Sequence, residues 1–78
     1  MDRDREIHRV GDHFAEALGG AVTDIKGAAS VLRVSTQTIR RAVGHQTLMP
    51  SRTGPHGAYI FTAYELARWV VDQREVRQ

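Results

Sequence analysis

The sequence has no cysteine, and this absence excludes several kinds of chemistry. Without thiols the chain forms no disulfide, no thiolate metal site and no thiol-based active site. It also lacks any apolar run near the roughly 20 residues of a membrane span, and its start, MDRDREIHR, has no apolar signal-peptide core. We therefore expect a cytoplasmic protein with no membrane partner.

The chain is short and can bury only a small hydrophobic core. Its 78 residues are enough for one domain and too few for two. A chain of this size buries only about 60% of its unfolded surface, so we expect one small core of modest stability. Its hydrophobic content of 41% is ordinary for a folded domain, which argues against disorder.

Acidic residues are missing from the middle of the chain. Residues 25–64 contain no aspartate or glutamate, whereas residues 1–24 carry six acids against three arginines and residues 65–78 carry three of each sign. The basic residues of this acid-free window are Lys26, Arg33, Arg40, Arg41 and Arg52. A basic patch of this kind is typical of a protein that binds a polyanion such as nucleic acid.

The first part of the chain has the periodicity of an amphipathic helix. Its apolar stripe consists of Ile7, Val10, Phe14, Ala17 and Leu18. The glycines at 19 and 20 predict the end of this helix. We therefore divide the chain into an N-terminal helix, residues 1–20, and a remainder, residues 21–78, within one compact domain.

The acid-free window begins with two predicted helices. The first starts after Thr23 or Asp24, either of which can cap it, and runs through IKGAASVL. The second starts after Ser35, another good N-cap, and ends near Gly44. Because only a three-residue step joins them, the pair has the dimensions of a helix-turn-helix.

The second of these helices separates polar from apolar residues. Ile39, Ala42 and Val43 cluster on one side at about 100° per residue. The opposite side carries Thr36, Gln37, Arg40 and Arg41. Such a face suits the major groove of DNA, where arginine pairs with guanine, glutamine with adenine and a threonine methyl with thymine.

A hairpin and a last helix are predicted after position 48. LMPSR and AYIF are short extended runs, and the intervening TGPHG is typical of a loop between antiparallel strands. Thr62 and Glu65 form a capping box at the start of the last helix. Leu66, Trp69 and Val70 are its predicted buried side.

Residues 22–71 resemble the small winged helix-turn-helix proteins of the excisionase and MerR-type group. The resemblance rests on the pair Ala28-Ala29, the step Val34-Ser35, the Pro after Leu48-Met49, the Arg52-Thr53-Gly54 wing and a last helix ending near Trp69. It implies a mainly α fold with a small β-hairpin, here with an additional N-terminal helix. Arg33 departs from the group, which usually has glycine in the turn, so this residue either adopts a left-handed conformation or changes the turn.

The resemblance implies sequence-specific binding of double-stranded DNA without catalysis. Helix 36–43 is expected in the major groove and wing 52–58 on the flanking backbone or minor groove. The expected contact residues are Lys26, Arg33, Ser35, Thr36, Gln37, Thr38, Arg40, Arg41, Arg52, Thr53 and His56. Since the chain is too short for the dimerisation helix and sensor of MerR-type regulators, an excisionase-type recombination directionality factor or a small transcriptional regulator is expected, associated with the nucleoid. A second copy, an integrase or recombinase, and RNA polymerase are the candidate protein partners.

The sequence gives less support to metal binding, catalysis or a purely protein-binding function. His8 and His13 lie about 140° apart on a helix, so they cannot chelate one ion, and neither a metal nor another cofactor is expected. An enzyme is not expected either, because no acid in the window could orient a base for Ser35. The alternative function is a protein–protein module, an antitoxin or recombinase adaptor, that keeps a helix-turn-helix core.

Overall fold

The computed structural model describes residues 2–54 and 58–76, with the side chains of 74–76 left aside. This part of the chain is a mainly helical domain with four helices and a small antiparallel sheet of three strands. In chain order the elements are α1 (Arg3–Leu18), β1 (Val22–Asp24), α2 (Ile25–Leu32), α3 (Thr36–Gly44), β2 (Arg52–Thr53), β3 (Tyr59–Thr62) and α4 (Ala63–Val76). Over the same residues, none of the helices combines the length and the apolar character needed to cross a bilayer.

Helix α1 is capped at both ends by residues suited to the task. The Asp2 carboxylate accepts hydrogen bonds from the amides of Asp4 and Arg5 at 3.1 and 3.3 Å. These are two of the amides that have no partner within the helix. At the other end Gly19 takes a left-handed conformation with φ of 74°, as the glycine pair predicts.

The buried face of α1 differs from the predicted stripe at two positions. Ala17 is exposed, so its assignment to the stripe was wrong, and Gly11 is buried instead. The reason is that α4 packs along the Gly11 side of the helix, where a Cβ added to Gly11 would lie 3.5 Å from the Tyr64 Cα. The Arg3 guanidinium also reaches across to Asp72 on α4, with an N–O distance of 2.6 Å.

Helix α2 begins after Asp24, one of the two predicted caps, whose carboxylate accepts from the Gly27 amide at 2.9 Å. A Cβ added at Gly27 would lie 1.8 Å from the Thr23 hydroxyl oxygen and 3.1 Å from the Thr23 Cβ, so the Thr23 side chain would have to move. The helix ends at Arg33, which takes the left-handed conformation with φ 60° and ψ 44°. The Val34 amide then donates to a carbonyl of the last helical turn at 3.0 Å, as in a Schellman motif.

The sheet has the order β1-β3-β2, with both pairings antiparallel. The hairpin of β2 and β3 was predicted, but its first strand was drawn too long: Leu48 is buried in a loop, and pairing starts only where the Ser51 amide donates to Ile60 at 2.8 Å. Pro50, which has no N–H to donate, explains the late start. The sequence pattern also gave no indication of β1, which pairs with the other edge of β3.

The core lies between α1, α4, the sheet and the helix pair α2–α3. Its largest fully buried side chains are Phe61, Ile7, Ile39, Leu48 and Leu66. On α4 the buried side was only partly predicted, because Ala63, Ala67 and Val71 share it with Leu66, whereas Trp69 and Val70 are half-buried. Because Ala63 and Ala67 are small, α1 can pack closely against α4 at Gly11.

Candidate nucleic-acid interface

Helix α3 presents a continuous exposed polar arc. At about 100° per residue, Thr36, Arg40, Gln37 and Arg41 fall at about 0°, 40°, 100° and 140°, and all four are exposed. Ile39 and Ala42 lie on the other side and are buried against the core. The predicted division of this helix into a polar and an apolar side is therefore confirmed, and the arc is free to meet a ligand.

The start of α3 is held by a pair of hydroxyl side chains. The Ser35 oxygen accepts from the Thr38 amide at 3.1 Å, and the two side-chain oxygens lie 3.0 Å apart in a hydrogen bond. Thr38 is half-buried, unlike its neighbours Thr36 and Gln37. Ser35 and Thr38 thus have a structural role at the cap, whatever contact to a ligand they also make.

The five basic residues of the acid-free window all remain available. Each is exposed, and none forms an ion pair with another described residue. They are Lys26, Arg33, Arg40, Arg41 and Arg52. Unpaired exposed arginine and lysine side chains are the groups that neutralise phosphates.

The arginines of α1 are used differently. Arg9 forms hydrogen bonds with the Glu6 carboxylate, with a shortest N–O distance of 2.7 Å, and this bond raises the pKa of the Arg9 guanidinium. Arg3 is bound to Asp72. Arg5 on α1 is exposed and forms no ion pair with a described residue, so one positive charge of this helix also remains available.

The predicted wing residues lie on a separate element from the α3 arc. Arg52 and Thr53 are exposed on β2, which joins the fold through its pairing with β3. The amide of Gly54 donates to the Ala58 carbonyl at 2.7 Å and closes the hairpin. His56, also predicted as a contact residue, lies outside the described residues.

The structure thus brings the predicted residues into two groups. Eight belong to α2, the turn and α3, and two belong to β2.

The histidines that the structure describes are not assembled into a site. His8 lies beside Tyr64 with a ring distance of 5.1 Å, and His13 lies beside Phe14 at 6.3 Å. Within the described part of the chain, no three histidine or carboxylate side chains are grouped so that they could hold a metal ion.

Comparison of the chain with protein-family models, with curated proteins and with solved structures gives no match.

Proposed function

We propose that the protein binds double-stranded DNA in a sequence-specific manner and has no catalytic activity. In this proposal the fold acts as a winged helix-turn-helix, in which α2, the turn and α3 are the helix-turn-helix and the β2–β3 hairpin is the wing. The observation that carries the proposal is the exposed arc of α3, which combines two unpaired arginines with a glutamine and a threonine and has no acidic neighbour in the window.

The arc has the chemistry needed to distinguish base pairs. Arginine can donate two hydrogen bonds to guanine, and glutamine can both donate to and accept from adenine in the major groove. Neither Arg40 nor Arg41 forms an ion pair with a described carboxylate. Gln37 lies between them on the arc. These three residues are the proposed readers of sequence or of the adjoining phosphates.

The remaining cations supply attraction without sequence information. Lys26, Arg33 and Arg52 are exposed on three different segments, and in this proposal they contact phosphates. With about 3–5 phosphate contacts per protomer, the slope of log affinity against log salt should be about −3 to −4.5. One domain of this size offers few base contacts, so repeated sites or a second copy on DNA are part of the proposal.

The biological role proposed is that of an excisionase-type recombination directionality factor or a small transcriptional regulator. This assignment rests on the resemblance of residues 22–71 to that group. Both roles use the same DNA-contacting face, and the fold supports many functions on one architecture. An integrase or RNA polymerase is the proposed protein partner in the respective cases.

Fluorescence anisotropy with a mixed-sequence duplex at two salt concentrations tests the proposal. The variant Arg40→Ala/Arg41→Ala should bind much more weakly, and its salt slope should be shallower by about 1.8, because each arginine that neutralises a phosphate contributes about 0.9. The matched control is Arg5→Ala/Arg68→Ala, which removes the same charge from exposed positions on α1 and α4. An equal reduction in the control would mean that the interaction depends only on net charge and would refute a reading helix.

The alternative function, a protein–protein module, predicts a different result. A folded native chain would then fail to bind duplex DNA even at low salt, and any association would depend on protein concentration alone. An antitoxin or recombinase adaptor of this kind would still use the same core.

A further inference from the structure

An open groove of about 710 Å³ lies between the C-terminal half of α1 and the end of α2. Its volume falls within the range of about 300–1,000 Å³ that is usual for binding clefts in proteins. The residues lining it are Arg9, Val10, His13, Phe14, Ala17, Leu18, Ser30, Val31 and Arg33.

The groove has an apolar floor and a basic rim. Val10, Leu18 and Val31 are only partly buried although they pack against the core, so the floor keeps apolar surface exposed to water. No aspartate or glutamate lines the groove, whereas Arg33 lies on the rim and forms no ion pair with a described residue. The Arg33 end of the groove therefore attracts an anionic group, and the floor favours a partner with apolar side chains.

An amphipathic helix is the element that combines these two properties. Its apolar residues repeat at i, i+3, i+4 and i+7 and can lie along a groove between two helices, while acidic residues on its flanks reach the rim. A small molecule is a poorer fit, because such ligands favour enclosed sites with several convergent polar groups.

A second copy of the chain does not offer such a helix among the described residues. The large hydrophobic residues exposed there are Val22, Met49 and Tyr64, on β1, the α3–β2 loop and α4 respectively. They form no helical stripe. The acidic residues Asp12 and Glu16 of α1 are exposed, but the apolar side of that helix is buried on its own domain.

We propose that the groove between α1 and α2 is a docking site for an acidic amphipathic helix of a partner protein. The partner's apolar stripe covers Val10, Ala17 and Val31, and its carboxylates pair with Arg33, because Arg9 is already bound to Glu6. Because Arg33 closes the turn before α3, a helix docked here lies next to the proposed DNA-reading element. The docking site does not depend on DNA binding, so the inference goes beyond the proposed function.

An NMR titration of the full ¹⁵N-labelled chain with two synthetic helical peptides tests the inference. Both peptides carry leucines at i, i+3, i+4 and i+7; one has glutamates on its flanks and the other has lysines. We expect the glutamate peptide to shift the amides of residues 10–18 and 30–33, and the lysine peptide to leave them unchanged. Equal binding of both peptides, or no shifts with either, would overturn the proposal.

Ala17 offers a matched pair of variants, because its side chain is exposed and both glutamate and lysine are good helix formers. Ala17→Glu places a negative charge at the groove and should bind the glutamate peptide about tenfold more weakly than Ala17→Lys does, a difference of about 1.4 kcal/mol. Equal affinities of the two variants would contradict the proposed basic rim.

Dilution of the chain without peptide provides the last arm of the test. Concentration-dependent shifts confined to the groove would make a second copy the occupant and overturn the assignment to a partner protein. Since none of these measurements uses DNA, their failure is distinguishable from a failure of the proposed function. Ala17 lies outside the proposed DNA-contacting residues, so its variants should bind duplex DNA as the native chain does.

Discussion

Replacing Arg33 with glycine should stabilise the fold and at the same time weaken DNA binding. Arg33 ends α2 in a left-handed conformation, with φ of 60°. This conformation costs a residue with a Cβ about 1–2 kcal/mol, whereas glycine adopts it freely. Arginine at this position therefore places a positive charge at the turn but makes the fold less stable than glycine would.

The expected gain follows from two opposing terms. Removing the Cβ relieves strain in the folded state and raises the free energy of unfolding by about 1–2 kcal/mol. The greater conformational freedom of glycine in the unfolded chain lowers it by about 0.5–1 kcal/mol. At the midpoints of these ranges the net increase in the free energy of unfolding is about 0.75 kcal/mol. For a domain of this size, that raises Tm by about 3–6 °C.

Thermal unfolding followed by circular dichroism measures this shift, with two controls. Arg33→Ala removes the same charge but keeps a Cβ, so its Tm should stay close to that of the native chain. Gln46→Gly acts at another left-handed residue, with φ of 62° after α3, and should stabilise by a similar amount without changing the charge.

The DNA titration separates the two effects of position 33. Both Arg33→Gly and Arg33→Ala should reduce the magnitude of the salt slope by about 0.9, since neither variant can neutralise the phosphate that Arg33 is proposed to contact. A Tm of Arg33→Gly no higher than that of Arg33→Ala would show that the left-handed turn carries no strain.

Four further substitutions test stability, and urea unfolding followed by the fluorescence of the single tryptophan, Trp69, measures the effect of each. Gly11→Ala should stabilise by about 0.5–1 kcal/mol, because the added Cβ meets only ordinary contacts at this buried helical position. Gly27→Ala has the same helix propensity in its favour, but its Cβ displaces the Thr23 side chain, so it should be less stable than Gly11→Ala by about 1–3 kcal/mol. Equal stability of the two variants would contradict the packing described. Ser35→Ala removes the N-cap of α3 and should cost about 1 kcal/mol, so an unchanged midpoint would deny Ser35 that role. Asp72→Asn breaks the half-exposed ion pair between α1 and α4 and should lower the free energy of unfolding by less than about 1 kcal/mol. In about 1 M salt the variant and the native chain should be equally stable. A larger loss that persists in salt would show that the pair is not screened by solvent.

Local signals were sufficient to locate the helices from sequence. Asp24 and Ser35 were predicted as caps, and both accept the expected hydrogen bonds from the backbone. The Thr62 hydroxyl likewise accepts from the Glu65 amide at 3.0 Å. Capping and periodicity act within one turn of the chain, so they can be identified without knowledge of the fold.

Long-range packing accounts for what was missed. Strand β1 is only three residues long, and it exists because β3 offers it a free edge forty residues away. The burial of Gly11 in place of Ala17 depends on where α4 crosses α1. Neither fact is encoded in the neighbouring residues, and both require the tertiary arrangement.

The candidate site likewise has one part that the sequence predicts and one that depends on tertiary packing. The polar arc of α3 follows from a helical period and was predicted residue by residue, because four exposed positions on one helix need no tertiary information. The groove beside α1 was not predicted, since its lining comes from two helices whose packing brings Val10 and Val31 to one cleft.

The central claim is that the exposed arc of α3 is the surface that contacts DNA. An NMR titration of the ¹⁵N-labelled chain with a mixed-sequence duplex at low salt tests it most directly. We expect the largest amide shifts at residues 36–41, smaller shifts at Lys26 and Arg52–Thr53, and none at Asp12 or Glu16. Shifts centred on α1, or a spectrum unchanged by DNA, would contradict it.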